Sequence, residues 1–311
     1  MTKIFIDGSA GTTGLRIRER LSARPDLHLI SLPEELRKDP SARRDALNAA
    51  DIAFLCLPDA AAVEAVSLAS ADTVIIDTST AHRTAPGWVY GFPELTGYRD
   101  RIRSAKRIAN PGCHASGFIA LVFPLMAAGL MKKEARLSCF SLTGYSGGGK
   151  KMIAEYAAAD RDPLLSAPRQ YGLAQAHKHL PEMAAVCGLT HPPVFCPIVA
   201  PYYAGMEVTV PLTPAETGAK PEEIAETYRE FYRCGLVRFS ASEEGGFLSA
   251  GAMAGRDDME VSVFGNEERM LLVARFDNLG KGASGAAIQN MNLALGLDEK
   301  TGLVCAEGPE A

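Results

Sequence analysis

Gly8, Gly11 and Gly14 follow directly on the apolar run 4–7 (IFID) and open a segment that reads as a helix. A glycine turn between a first strand and a first helix constrains the fold more than any other feature here, because parallel βαβ units use that turn to bind a dinucleotide. Gly8 permits the sharp turn and Gly11 lets backbone approach a pyrophosphate. The helix starting near Thr13 aims free amides at that anion, which puts Thr12 and Thr13 with the glycines as cofactor-binding residues. The alternation continues downstream. Apolar runs at 4–7, 27–32, 52–57 and 73–77 read as buried parallel strands, and 14–24, 41–49 and 59–69 read as the helices between them. The expected fold is α/β, with an N-terminal Rossmann-like, doubly wound unit.

Beyond about residue 135 the rhythm changes. The run 206–212 alternates apolar and polar positions, as a strand with one buried and one wet face does. Residues 259–264 and 270–276 flank Gly265 and Asn266, both tolerant of positive φ, and predict a hairpin with its loop there. A helix is expected over 221–235, and an amphipathic one over 283–295 after Gly280 and Gly282. This part reads as α+β. A chain of 311 residues with 47% hydrophobic content has material for two cores.

Charge excludes one function class. Thirty-two Lys and Arg against 37 Asp and Glu leave a net charge of −5, with no basic surplus for nucleic-acid binding. The longest apolar run, 118–131, has 14 residues, against the roughly 20 a membrane helix needs, so no membrane span is expected. The N-terminal MTKIFIDGSAG lacks the apolar stretch of a secretory signal, and the expected location is the cytoplasm. Seven cysteines without a CxxC pair fit neither a disulfide framework nor a metal site. About 20 residues past the glycines, Glu34 and Glu35 would suit a ribose hydroxyl, while Arg37 and Lys38 would suit a 2′-phosphate. Two adjacent cations favour NADP.

Cys113 lies in NPGCHASGFIALVFPL, after a turn signal and before a long apolar helix. A thiol at a helix N-terminus meets unpaired amides that favour the thiolate, so this cysteine is the candidate nucleophile. Further segments carry candidate chemistry. TGYSGGGK, with Ser146 and Lys150, is a glycine loop able to wrap an anionic ligand. AHKHLPEM puts His177 and His179 two apart in what reads as an extended stretch, hence on one face, with Pro181 opening a helix and Glu182 beside it. Either imidazole could be the acid and base, and no third ligand supports a metal. DNLGKGASG, with Asn278, Lys281 and Gly282, could let backbone approach the nicotinamide end of a dinucleotide.

Taken together and in order, GSAGTTG, IIDTSTAHR, YGFPEL, NPGCHASG, TGYSGGGK, AHKHLPEM and DNLGKGASGAAIQNMN resemble the N-acetyl-gamma-glutamyl-phosphate reductases, relatives of aspartate-semialdehyde dehydrogenase. The commoner, longer form has an aromatic residue after the nucleophile and a threonine two further on. Here His114 and Ser116 stand there, and the chain looks like the shorter, second type. The resemblance implies a dinucleotide domain of residues 1–112 and 281–311, and a catalytic and subunit-contact domain of residues 113–280. It further implies NADPH-dependent reduction of a small acyl phosphate through a Cys113 thioester, with His177, His179 and Glu182 as acid, base or orienting groups. Arg83, Ser146, Lys150 and Lys178 become substrate-binding candidates, and the protein is expected to be a homodimer or homotetramer. Two rivals are an aspartate-semialdehyde dehydrogenase, against which the AHKHLPEM and DNLGKGASG segments argue, and a non-catalytic NADP-binding redox regulator with Cys113 as sensor.

Overall fold

The structure, a computed structural model, describes residues 1–306. The described chain divides into two compact units, Met1–Pro111 with Ala283–Leu303, and Gly112–Gly282 with Val304–Ala306. The expected division gave all of 281–311 to the first. The residues at Val304–Ala306 join the second because Asp257 and Asp258 hold them there. Val304 N donates to Asp257 Oδ2 at 2.8 Å and Ala306 N to Asp258 Oδ2 at 3.2 Å.

The first unit runs β1 (Thr2–Asp7), α1 (Thr12–Ser22), β2 (Leu27–Ile30), α2 (Pro40–Ala49), β3 (Ile52–Leu55), α3 (Asp59–Leu68), β4 (Val74–Asp77), β5 (Val89–Tyr90), α4 (Tyr98–Ser104) and β6 (Arg107–Ala109). Its strands form a parallel sheet in the order β2-β1-β3-β4-β6-β5. The continuous apolar runs are explained by burial on both faces. Ile4, Ile6, Ile52 and Phe54 join one core with Ile17, Leu21, Ile288 and Met291, while Phe5, Ala53 and Leu55 join a second with Leu47, Ala62 and Ala65. At α2, Asp39 accepts from Ala42 N at 2.8 Å and Pro40 takes the first helical position, so this helix has an N-cap that α1 lacks. The C-terminal helix Gly285–Ala294 belongs to the first core. It is not amphipathic as expected, since every residue from Gly285 to Leu293 is buried. Its polar side chains find internal donors and acceptors instead: Asn290 Nδ2 donates to Gly91 O at 2.9 Å and Gln289 Nε2 to Glu94 Oε1 at 2.8 Å, while Asn290 Oδ1 has no partner among the described residues.

The second unit runs α5 (Cys113–Ala127), β7 (Ser138–Gly144), α6 (Gly149–Ala157), β8 (Arg169–Gln170), α7 (Leu180–Cys187), β9 (Val194–Ala200), β10 (Met206–Leu212), α8 (Pro221–Phe231), β11 (Val237–Phe239), β12 (Met259–Asn266) and β13 (Arg269–Phe276). A mixed sheet orders these strands β11-β12-β13-β10-β7-β9-β8. Helix α5 packs on the sheet at β10 and β13. Gly117 makes this close: a Cβ there would lie 2.5 Å from Val208 Cγ2. Pro124 lacks an amide, so the Ala120 carbonyl loses its helical partner. Tyr232 Oη donates to that carbonyl at 2.7 Å, and Tyr228 Oη to the Leu121 carbonyl at 2.7 Å. The β12–β13 hairpin forms, but its turn is at Glu267 and Glu268 rather than at Gly265 and Asn266, which pair within the ladder. Asn266 Oδ1 accepts from both Glu268 N and Arg269 N at 3.0 Å and closes the turn two residues later than its glycine indicated.

Candidate active site

In the first unit, the chain passes from β1 out to β2 and back across to β3, which makes the carboxyl ends of β1 and β3 the switch point where open parallel sheets bind ligands. Gly8 ends β1 with φ +85°, and a Cβ there would lie 2.3 Å from the Cys56 carbonyl oxygen. At Gly14 a Cβ would lie 2.6 Å from the Gly8 oxygen. Packing of the turn therefore demands both glycines. Gly11 is different, because the nearest atom to its Cβ would be 3.5 Å away. No internal contact requires a glycine at that position.

Above Gly11 the start of α1 carries no side-chain cap, and the buried Thr12 Oγ1 has no hydrogen-bond partner among the described residues. Open amides and an unpaired hydroxyl fit an anionic pyrophosphate. A cavity of about 390 Å³ has Gly8 and Ser9 of the turn, Arg18 of α1, and Glu34, Arg37 and Lys38 in its wall. Arg37 and Lys38, the two cations expected near a 2′-phosphate, both line this cavity. Arg18, one helical turn past Gly14, was not anticipated, although that spacing places it on the same side of α1. Among the described residues none of these three cations has an ion-pair partner. Asp7 also lines the cavity and accepts from Arg43 Nε at 3.0 Å. Burial pushes its carboxyl up against the opposing pull of Arg43.

In the second unit, Cys113 is the first residue of α5, half-buried, with no side-chain cap on the helix. The amide of Gly112, just ahead of it, donates to Glu182 Oε2 at 3.2 Å. Gly282 comes so close that a Cβ would lie 3.0 Å from the Cys113 Cβ and 3.1 Å from the Asp277 carbonyl oxygen, a tight fit against the cysteine. Other thiols stand in different surroundings. Burial pushes the Cys56 thiol up to about 12 and raises Cys139 and Cys187 as well.

Cys113 opens on a cavity of about 170 Å³ that His114, Gly147, Gly148, Tyr171 and His177 also line. The two histidines of AHKHLPEM lie in a turn, not in an extended stretch. His179 has helical angles, φ −87° and ψ −13°, and its amide donates to His177 Nδ1 at 3.2 Å. The ring centroids are 4.7 Å apart, so the pair is adjacent although not on one strand face. A neutral His177 that accepts at Nδ1 carries its proton on Nε2 and is a donor there. His179 is buried, with Nε2 4.0 Å from Glu182 Oε1. His177 thus meets the cavity, while Glu182 lies beside His179 and accepts from the start of the cysteine helix at Gly112.

His114 and Tyr171 were missed as candidates. His114 is 3% exposed, with Nδ1 2.7 Å from Ser141 Oγ and Nε2 2.7 Å from Tyr171 Oη. Burial, helped by the neighbouring His177, pushes its imidazole down to about 3, so the ring is neutral. The remaining candidates divide. Lys150 and Lys178 are exposed. Ser146 Oγ accepts from Asn278 Nδ2 at 2.9 Å, and Asn278 Oδ1 accepts from Gly205 N at 3.0 Å, so this pair braces the glycine loop. Lys281 is 1% exposed. Arg83, in the first unit, donates to the carbonyls of Asn110 and Thr78 at 3.1 Å each.

A dinucleotide-binding turn in one unit and, in the other, a cysteine at a helix start beside imidazoles are the features of a nicotinamide-dependent oxidoreductase. The family models agree: the semialdehyde dehydrogenase NAD binding domain matches residues 3–105 and the semialdehyde dehydrogenase dimerisation domain matches residues 113–278. More particularly, the chain belongs to the N-acetyl-gamma-glutamyl-phosphate reductase family. It is 46% identical over 319 residues to N-acetyl-gamma-glutamyl-phosphate reductase 2 of a Nostoc species, covering 97% of this chain and 99% of that one. With N-acetyl-gamma-glutamyl-phosphate reductase of Brucella suis it is 48% identical over 306 residues, covering 94% and 99%. Among solved structures, aspartate semialdehyde dehydrogenase II of Vibrio cholerae superposes with a TM-score of 0.71 at 16% identity, over 95% of this chain and 98% of that one. Aspartate semialdehyde dehydrogenase of Candida albicans, crystallised with NADP, has a TM-score of 0.68 at 14% identity, over 94% and 99%. Likeness at these identities establishes the shared fold.

Proposed function

We propose that the protein reduces N-acetyl-L-glutamyl 5-phosphate to N-acetyl-L-glutamate 5-semialdehyde with release of phosphate, a step of arginine biosynthesis. The observation that carries this reading is Cys113 on an uncapped helix start, facing a cavity shared with His177, in a chain so similar to reductases of that name. The Cys113 thiolate attacks the acyl carbon, the carbon–oxygen bond to phosphate breaks, and a thioester remains. Bound NADPH supplies the hydride that reduces this thioester. The carbon–sulfur bond then breaks, releasing the aldehyde and restoring the thiolate. Sulfur suits both halves: a thioester stays electrophilic where an oxygen ester resists hydride, and a thiolate leaves readily. At each tetrahedral stage the His177 Nε2 proton is the donor for the carbonyl oxygen, together with amides at the start of α5.

The cofactor assignment rests on Arg18, Arg37 and Lys38, whose excess of positive charge suits a 2′-phosphate better than a bare ribose. Lys150 and Lys178, both exposed, are the cations available to the substrate's phosphate and carboxylate. We place the enzyme in the cytoplasm as a homodimer or homotetramer. Register puts Phe140, Val194 and Leu271 on one face of the second unit's sheet, 42%, 59% and 46% exposed, an apolar face suited to a second copy. The test omits phosphate. With the semialdehyde and NADP alone, oxidation should stop at the thioester, giving a burst of about one NADPH per active site and an acyl mass on the Cys113 peptide. Cys113→Ser should bind NADPH and give neither; a burst retained by that variant would remove the covalent route.

A further inference from the structure

The His114 network fixes where a proton points. Ser141 is 0% exposed, and its hydroxyl makes its one side-chain hydrogen bond among the described residues to His114 Nδ1. If Nδ1 held the ring proton, the serine hydrogen would be buried without an acceptor, a costly arrangement. Ser141 Oγ therefore donates to Nδ1, and the neutral ring carries its proton on Nε2. Nε2–H in turn donates to Tyr171 Oη at 2.7 Å. An oxygen that accepts from His114 keeps its own hydrogen for another partner, and Tyr171 lines the cavity on which Cys113 opens.

We infer that Ser141, His114 and Tyr171 form a one-way hydrogen-bond chain whose terminal Tyr171 hydroxyl donates to the Cys113 sulfur, with His114 as a positioning residue that sets its direction. This deepens the proposed function and rests on it for the identity of the reaction, although the chain itself is a property of the free enzyme. Several features support a fixed direction. Burial keeps His114 neutral, with His177 and His179 as its charged-capable neighbours at centroid distances of 5.6 and 5.5 Å. Burial and the nearby Cys113 both raise the Tyr171 hydroxyl, so it remains a donor. Phe195 packs edge-on against the His114 ring at 5.3 Å and holds its plane. A hydroxyl donating to sulfur stabilises the thiolate before attack and again as it leaves the reduced adduct. The residue after the nucleophile thus acts through its ring nitrogens on a tyrosine from a distant segment.

The experiment measures the pH dependence of iodoacetamide alkylation of Cys113, followed on its peptide by mass spectrometry, in the intact protein. Tyr171→Phe should raise the alkylation midpoint by about one pH unit and lower kcat on the order of tenfold with little change in KM. His114→Leu should do the same, while His114→Gln, whose amide can still donate towards Tyr171, should recover most of the loss. A wild-type circular dichroism spectrum and a single cooperative urea transition certify each variant as folded. A folded His114→Leu or Tyr171→Phe with wild-type midpoint and kcat overturns the inference; if His114→Leu does not fold, Tyr171→Phe decides alone. Midpoints shifted in the variants, with a wild-type protein that does not turn over the acetylated substrate, would leave the chain standing and remove the reaction assignment instead.

Discussion

Cys113 stands at the first residue of α5, where helix amides favour a thiolate, whereas burial pushes the thiols of Cys139 and Cys187 up. NPGC before a long apolar run made this legible in sequence, because a turn signal and a helix start are both local. The His114 chain was not legible. Its members stand at 114, 141 and 171, on α5, on β7 and just past β8, and only the folded sheet brings them together. Nor could spacing say which of His177 and His179 faces the cysteine, since the backbone there turns rather than extends. His114 also carries a prediction about stability. The folded protein refuses a proton down to about pH 3, whereas the unfolded chain takes one near the ordinary 6.5. The unfolded state therefore binds more protons in that window, and this residue's contribution is present above 6.5 and is lost as pH falls. Urea denaturation between pH 6.5 and 4 should show a pH slope steeper in wild type than in His114→Gln, by up to about 1.4 kcal/mol per pH unit.

The glycine turn shows what pattern alone conveys about an element. GxxGxxG located the turn, yet its glycines do different things. Gly8 and Gly14 are needed by the packing of β1 against β3, and Gly11 by nothing within the chain. Gly8→Ala combines a left-handed φ with a Cβ 2.3 Å from backbone, so it should cost several kcal/mol, about 2 or more, in thermal or urea unfolding. Gly11→Ala should fold as wild type and lose NADPH affinity, read by fluorescence titration. Equal behaviour of the two variants would remove the cradle assignment. Parallel strands were readable as continuous runs because both faces are buried, and β10 as an alternation because one is not. The hairpin turn moved because Asn266 closes it with its side chain, a contact that propensity at Gly265 does not encode. The C-terminal helix was misread for the opposite reason: its polar residues look like a wet face and are buried with partners.

For the whole molecule, the order of motifs conveyed the two-unit plan, while the return of Val304–Ala306 to the second unit depends on Asp257 and Asp258 and is invisible in pattern. The apolar sheet face predicts that Phe140→Glu weakens self-association, lowering the mass seen by light scattering while leaving the isolated fold intact. An unchanged mass would move the contact elsewhere. The most direct test of the account runs the reaction backwards, following reduced nicotinamide with N-acetylglutamate semialdehyde, phosphate and either NADP or NAD, and with aspartate semialdehyde as control. The account predicts phosphate-dependent reduction of NADP with the acetylated aldehyde alone, and NADP favoured over NAD. No reduction with either aldehyde by protein that binds NADP, or reduction with aspartate semialdehyde instead, would contradict it.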